Sequence, residues 1–172
     1  MSTRPAGYAM LAAGGLLAFA ALSYAAQLAV VLPVSARADD PALVRAHLAE
    51  HPADAAAWLT LARQTFLAGD DAGAVPYLMQ SIEVAAYQPP LMVKRFQLAL
   101  LLWSSLDVTQ REKISIQLGL LWRKNRSELL GLSRLPLIAP QVEQMMRDSY
   151  PDSYASFLRS RGPVRHNNGA KE

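Results

Sequence analysis

Three residues near position 50 have the types and the spacing for chemistry. His47, Glu50 and His51 form a His-x-x-Glu-His pattern. On a helix, side chains four residues apart lie one turn apart on the same face, where two imidazoles can bind one zinc ion. A carboxylate beside such an ion can activate bound water as a general base, and Glu128 offers a distant third ligand. The chemistry that this pattern suggests is metal-assisted hydrolysis.

The pattern resembles the zinc motif of the inverzincin proteases. Pro52 directly follows His51, however, and a residue before proline is disfavoured in a helix, so the helix should end there and the two rings need not share a face. The inverzincin fold also contains a mixed sheet, whereas this chain has helical patterns throughout. Cysteine is absent, which removes thiolate metal sites and cysteine nucleophiles. No Gly-rich phosphate loop, nucleophile elbow or paired-carboxylate cleft is visible either, so we expect no metal site, no cofactor, no catalytic residue and no enzymatic activity.

A helical hairpin from Trp58 to Pro90 is the element around which the chain is organised. Apolar and small residues recur at three- and four-residue spacing from about Asp54 to Ala68, which predicts an amphipathic helix. Gly69 should end this helix in a left-handed conformation, and Asp70 or Asp71 should cap the next one.

The second helix of the hairpin also has one apolar stripe. We place Pro76 in its first turn, where a missing N–H has no cost, and Pro89-Pro90 at the end of the unit. The stripe consists of Ala74, Leu78, Ser81, Ile82 and Ala85.

This hairpin resembles a tetratricopeptide repeat (TPR), a helix–turn–helix unit of 34 residues. Thr65 departs from the motif where an aromatic residue is usual, and Ala86 departs where a closing proline is usual. An unrelated hairpin with the same periodicity is the alternative. The matching residues are Trp58, Leu61, Ala62, Ala74, Leu78 and Ser81.

Flanking segments extend the pattern. A short helix opened by Pro41 and ended by Pro52 has the spacing of half a repeat, with an apolar stripe at Leu43, Val44, His47 and Leu48. Residues 91–125 form either a degenerate repeat or a capping hairpin, in which Asp107 and Gln110 make a capping box. Its second helix has an apolar face at Ile114, Leu118, Leu121 and Trp122. Shorter helices are expected from Ser127 to about Leu135, from Gln141 to Tyr150 and from Asp152 to Arg159, with Pro136 and Pro140 around a turn.

The N-terminal segment is the strongest membrane signal. Tyr8 to Val34 contains no charged residue, and a helix of this length spans ~40 Å, enough to cross a bilayer. The alternative is a cleaved signal peptide ending at Ala38, although a signal peptide has a shorter apolar region. Arg4 on one side, against Arg37 diluted by acidic neighbours on the other, favours a cytoplasmic N-terminus and a periplasmic bulk of the chain.

We therefore expect an all-α protein with three parts. Residues 1–38 are a membrane anchor or signal peptide, 39–160 a TPR-like helical domain, and 161–172 a disordered basic tail. The formal net charge of +3 is too small and too scattered to favour nucleic acid. Arg123, Lys124 and Arg126 cluster at a helix C-terminus, where they oppose the helix dipole or contact anionic lipid or polysaccharide.

The TPR resemblance implies a protein-binding scaffold, because stacked helical hairpins form a concave groove for a peptide. Candidate partner-binding residues are Arg63 and Gln64 on the inner face of the first helix, whereas Trp58, Phe66 and Trp103 should lie in the core. Anchored TPR proteins of this layout resemble accessory subunits of polysaccharide or envelope assembly, so we expect a role of that kind in a bacterial inner membrane. The alternative is the apoprotein-holding subunit of cytochrome c maturation, which is larger and has more repeats. A small structural subunit of a membrane complex is a further alternative, because alanines recur at four-residue spacing in the anchor.

Overall fold

A computed structural model of the chain describes residues 40–162, which contain eight α-helices and no strand. The predicted all-α class is confirmed for this range. No helix within it is long and apolar enough to span a bilayer. The predicted anchor and nearly all of the predicted tail lie outside the described residues. The helices are α1 (Pro41–Glu50), α2 (Ala55–Leu67), α3 (Asp71–Val84), α4 (Pro89–Leu101), α5 (Val108–Lys124), α6 (Arg126–Leu132), α7 (Ala139–Ser149) and α8 (Pro151–Arg161), with a short 3₁₀ helix at Trp103–Ser105.

Helix α1 is capped by the Asp40 side chain, which accepts from the N–H of Ala42 at 2.9 Å. Its buried residues are Val44 and Leu48 alone. Leu43 is 67% exposed and His47 is exposed too. The prediction of a wider apolar stripe that includes these two residues is therefore wrong. The reason is that α1 packs chiefly on α2, and one neighbour buries only a narrow strip of a helix.

The turn between α2 and α3 follows from glycine and aspartate. Gly69 has φ +85, and its N–H donates to Phe66 O at 2.9 Å while that of Asp70 donates to Thr65 O at 3.1 Å. This pair of bonds is a Schellman motif. The Asp70 carboxylate then accepts from the N–H of Gly73 at 2.8 Å, which caps α3 as predicted.

The prolines are placed differently from the prediction. Pro76 lies inside α3, in its second turn, because Asp70 already forms the cap and the helix starts at Asp71. The helix therefore lacks the bond that an N–H at this position would make. Pro89 and Pro90 begin α4 rather than closing the hairpin, since the first turn of a helix needs no N–H donors.

Helices α2 and α3 form the most extensive helix–helix contact of the described range. Their matching positions are almost all inaccessible: Leu61 is 1% exposed, and Ala62, Ala74, Leu78 and Ser81 are 0% exposed. The two alanines let the helix backbones approach closely. Trp58 differs, since it is only partly buried, stacks on Tyr77 and packs against the Val44–Leu48 cluster of α1.

The second half of the domain is built around α5. The capping box is confirmed, because the Asp107 N–H donates to Gln110 Oε1 at 2.9 Å and the Gln110 N–H donates to Asp107 Oδ1 at 2.8 Å. Ile114, Leu118 and Leu121 are fully buried, whereas Trp122 is only partly buried.

The last three helices differ from the predicted ranges at their ends. Helix α6 begins at Arg126 and stops at Leu132, short of the predicted Leu135. Helix α7 begins at Ala139 and includes Pro140 in its first turn, so this proline starts a helix instead of bounding a turn. Helix α8 continues to Arg161, two residues beyond the predicted end.

A close contact fixes α7 relative to α5. The Tyr150 hydroxyl, just after α7, donates to Ser115 O at 2.9 Å. Gly119 makes room for this ring, since a Cβ there would collide with the tyrosine hydroxyl. The two helices are thereby held side by side with part of each face open.

Candidate functional site

The two histidines of the His-x-x-Glu-His pattern make contacts that stabilise the packing of α1. His47 Nε2 lies 2.9 Å from Asp54 Oδ2, and the His47 and His51 ring centroids are 4.7 Å apart with planes tilted by 38°. The hydrogen bond with His47 and that from the Ala57 N–H hold the pKa of Asp54 below its ordinary value. Asp54 is the N-cap of α2, so His47 connects α1 to the start of the next helix.

The histidine pair does not belong to a larger group of candidate metal ligands in the described residues. Within residues 40–162, no group of three or more histidine, aspartate or glutamate side chains is positioned to hold a metal ion. His51 is the residue at which α1 ends, as its position before Pro52 predicts. Glu128, the distant ligand that the sequence suggested, lies on α6 and does not join the pair.

The predicted groove residues Arg63 and Gln64 lie next to each other on α2. Both are partly buried, and each already interacts with another group of the protein. Arg63 is therefore less accessible than a solvent-facing side chain. Partner binding by this pair stays a prediction.

The predicted basic cluster is divided between two helices. Arg123 and Lys124 are exposed in the last turn of α5, where the Arg123 Nε donates to Gly119 O at 3.2 Å. Arg126 begins α6 and lies over the Trp122 ring, with its Cζ 4.0 Å from the ring centroid. It also donates to the hydroxyls of Ser156 and Ser160.

Arg126 therefore links α6 to α8 and stabilises their packing. Contact of Arg123 and Lys124 with anionic lipid or polysaccharide stays a prediction.

An open groove with mostly apolar walls lies between α5 and α7, and Trp103 of the 3₁₀ helix contributes to its lining. Its volume is about 450 Å³. None of the five predicted partner-binding residues lines it. The lining residues are Trp103, Val108, Arg111, Glu112, Ser115, Ile116, Gln141, Gln144, Met145, Asp148 and Ser149.

Two branched aliphatic residues stand along one wall of this groove. Val108 is 71% exposed and Ile116 is 59% exposed. They lie eight residues apart on α5, which places them on one face about two turns apart. Met145 of α7 is 4% exposed and forms part of the floor. The groove therefore combines two exposed aliphatic side chains on one wall with a buried methionine below them.

Trp103 lies at the end of the groove, so its predicted place in the core is wrong. The ring is partly exposed because it belongs to the 3₁₀ helix and not to the buried face of α4. Arg111 covers one side of it, with Cζ 5.4 Å from the ring centroid and Nη2 donating to Trp103 O at 3.1 Å. The arginine thus holds the aromatic wall in place.

The charges at the groove rim are unequal. Glu112 on α5 and Asp148 on α7 are exposed, and neither makes an ion pair with any described residue. Neighbouring cations are engaged elsewhere: Lys113 pairs with Glu83 at 2.6 Å and Arg147 with Glu143 at 3.4 Å. Each wall of the groove therefore presents a carboxylate that makes no ion pair within residues 40–162, and Arg111 is the one cation in the groove lining.

Sequence reasoning missed this groove, although a signal for it exists. Val108 and Ile116 are apolar residues out of phase with the buried face formed by Ile114, Leu118 and Leu121. A second apolar stripe on the polar side of a helix indicates a second contact surface.

The chain matches no protein-family model, and no curated protein or solved structure matches it.

Proposed function

We propose that the protein is an adaptor that holds a partner protein in the groove between α5 and α7. The observation that carries this proposal is the exposure of Val108 and Ile116 on one face of α5, at 71% and 59%. Burying an aliphatic side chain of this size stabilises an interface by about 1.5–3 kcal/mol. Two such residues, with Trp103 beside them, provide the apolar centre that protein interfaces require.

A protein partner fits this surface better than a small molecule does. Small-molecule sites enclose most of their ligand, whereas Val108 and Ile116 project from an open wall into solvent. The walls are rows of side chains on two neighbouring helices. Such rows accept another helix or an extended peptide, which is a common mode of peptide recognition.

The α2–α3 hairpin supports the second part of the proposal, a TPR-like domain. Five of its six matching positions are almost inaccessible, and the two small residues Ala62 and Ala74 lie where close helix packing needs them. Repeats of this kind bind proteins across stacked helices. Arg63 and Gln64 are candidates for a second contact surface on this hairpin.

The uncharged run from Tyr8 to Val34 supports anchoring in a bacterial inner membrane, with the N-terminus in the cytoplasm and the helical domain in the periplasm. The resemblance to anchored TPR proteins, together with that location, supports an accessory role in envelope or polysaccharide assembly. An alkaline phosphatase fusion after Glu172 should be active. A stably produced but inactive fusion would reverse the orientation, and a mature protein that lacks residues 1–38 would replace the anchor with a signal peptide.

The adaptor function is tested by native electrophoresis of solubilised membranes. Wild-type protein should migrate in a complex larger than itself, and Ile116→Asp should release it because a charge cannot enter an apolar interface without a partner. The matched control is Leu43→Asp, since Leu43 is 67% exposed on α1 and does not line the groove. A complex that survives Ile116→Asp, in a variant that melts like wild type, contradicts the proposal.

A further inference from the structure

We propose that the groove takes a short helical segment of a partner protein that carries lysine or arginine beside an apolar stripe. This inference rests on the proposed adaptor function and specifies the chemistry of the partner. The observation behind it is that an apolar floor lies between two carboxylates on opposite walls, Glu112 on α5 and Asp148 on α7.

The dimensions of the groove suit a helix of a few turns. From Val108 to Ile116 the wall extends along eight residues of α5, or roughly 12 Å at 1.5 Å per residue. About two turns of a partner helix cover that length. Apolar side chains at three- and four-residue spacing on the partner would pack between Val108, Ile116 and Trp103, as in other helix-in-groove complexes.

The two carboxylates at the groove rim favour a partner that carries positive charge. Glu112 lies midway between Val108 and Ile116, about one turn from each, so a partner that covers these aliphatic residues also approaches this carboxylate. Arg111, the cation next to it, is bound to the backbone and ring of Trp103. A lysine or arginine on the partner would pair with Glu112 or Asp148, whereas an acidic partner would meet like charges.

The same charges disfavour a second copy of this chain as the occupant. In a symmetric dimer, the same surface of each copy meets across a two-fold axis. Groove against groove would bring two copies each of Glu112 and Asp148 together, and Arg111 is the one cation among the groove-lining residues to oppose them. A heterologous partner with basic side chains avoids this repulsion.

The test uses dye-labelled model peptides of 14 residues and the full-length protein in phosphatidylcholine nanodiscs. The three peptides share leucines at helical spacing and have lysine, glutamine or glutamate at the other positions. We expect the lysine peptide to bind most tightly in fluorescence anisotropy, and its affinity to fall as salt rises because exposed charges are screened. Empty nanodiscs measure binding to the lipid.

Two double variants separate the rim from charge in general. Glu112→Gln with Asp148→Asn should weaken the lysine peptide by about three- to tenfold, the range expected for two exposed ion pairs. Glu50→Gln with Asp152→Asn removes the same charge from exposed positions outside the groove and should leave its affinity unchanged. Ile116→Ser should weaken every peptide that uses the groove.

The outcomes test the preference for a basic partner separately from the proposed adaptor function of the groove. If the glutamate or glutamine peptide binds as tightly as the lysine peptide, and Ile116→Ser weakens it, the charge assignment is wrong while the groove remains a docking site. If no peptide binds in a manner that depends on Ile116, both the inference and the groove's role are contradicted. Sedimentation that shows a dimer dissociated by Ile116→Ser would make a second copy the occupant and overturn the inference.

Discussion

Arg95 and Ser81 form a hydrogen bond inside the protein, with the Arg95 Nε donating to the Ser81 hydroxyl at 2.8 Å. That hydroxyl donates in turn to Ala55 O at 2.6 Å, and the Arg95 Nη1 donates to Ala85 O at 2.7 Å. Both side chains are 0% exposed. One polar chain therefore connects α4, α3 and the first turn of α2.

No carboxylate of the described residues pairs with Arg95. Burial lowers the pKa of Arg95, because desolvation penalises the charged form. We predict that Ser81→Ala destabilises the domain by about 1–3 kcal/mol, since it leaves a buried donor without its acceptor. Denaturant unfolding measures this change. Arg95→Met in the Ser81→Ala background should recover part of the loss, because it removes the buried charge itself. A double variant less stable than Ser81→Ala would contradict this account.

Trp58 tests the packing of the TPR-like hairpin against α1. Its indole Nε1 donates to Pro52 O at 2.8 Å, and its ring centroid lies 6.0 Å from that of Tyr77. Trp58→Ala should lower the free energy of unfolding by about 2–3 kcal/mol, less than for a fully enclosed tryptophan because the ring is partly exposed. Leu67→Ala, at a residue 51% exposed on the same helix, is the control. Equal melting temperatures for the two variants would exclude a packing role for Trp58.

Gly119 tests the contact that holds α7 against α5. Alanine normally favours a helix over glycine by about 1 kcal/mol. Gly119→Ala should nevertheless lower the melting temperature, because the added methyl group displaces the Tyr150 ring and breaks its bond to Ser115 O. Gly131→Ala, where a methyl group meets no atom within 4 Å, should not lower it. A Gly119→Ala variant as stable as Gly131→Ala would show that the ring moves without cost.

Glu143 makes a contact between α7 and α8 that we expect to weaken in acid. Its carboxylate accepts from the Arg161 Nη1 at 2.7 Å and from the Tyr154 hydroxyl at 2.8 Å. These two hydrogen bonds hold the pKa of Glu143 below its ordinary 4.5, and the bond from Arg161 has the larger effect. A group with a lowered folded pKa stabilises the fold above its unfolded pKa and loses this contribution as pH falls through the folded one.

Stability should therefore fall below about pH 4.5, and Glu143→Gln should be less stable at pH 7 with a flatter acid limb. Asp54, whose pKa is also lowered, keeps some slope in that variant. Urea unfolding at several pH values measures the effect, with Glu128→Gln on α6 as the control. Parallel acid limbs for wild type and Glu143→Gln would remove Glu143 from the explanation.

Features that depend on neighbours in the chain could be predicted from the sequence. The Asp107–Gln110 capping box, the left-handed Gly69 and the Asp70 cap each involve groups within a few residues of one another. Local backbone geometry fixes these contacts whatever the rest of the fold does. The same applies to the end of α1 before Pro52.

Features that depend on distant segments could not be predicted. In the sequence, Arg95 only interrupts an apolar stripe. Its acceptor Ser81 lies on a different helix and Ala55 lies on a third, so the sequence does not indicate this hydrogen-bonded chain. The groove was equally hidden. The apolar residues Val108 and Ile116 are visible in the sequence, but whether α7 covers them depends on how α7 packs on α5, which involves residues 35 positions apart.

The most direct measurement of the central claim is photo-crosslinking in living cells, with p-benzoylphenylalanine placed at Ile116, at Val108 and at the control Leu43. All three side chains are well exposed, at 59%, 71% and 67%, so each can carry the probe without entering the core. The account predicts one discrete protein adduct shared by the two groove positions and absent at Leu43. Adducts at Leu43 with none at Ile116 or Val108 would contradict it.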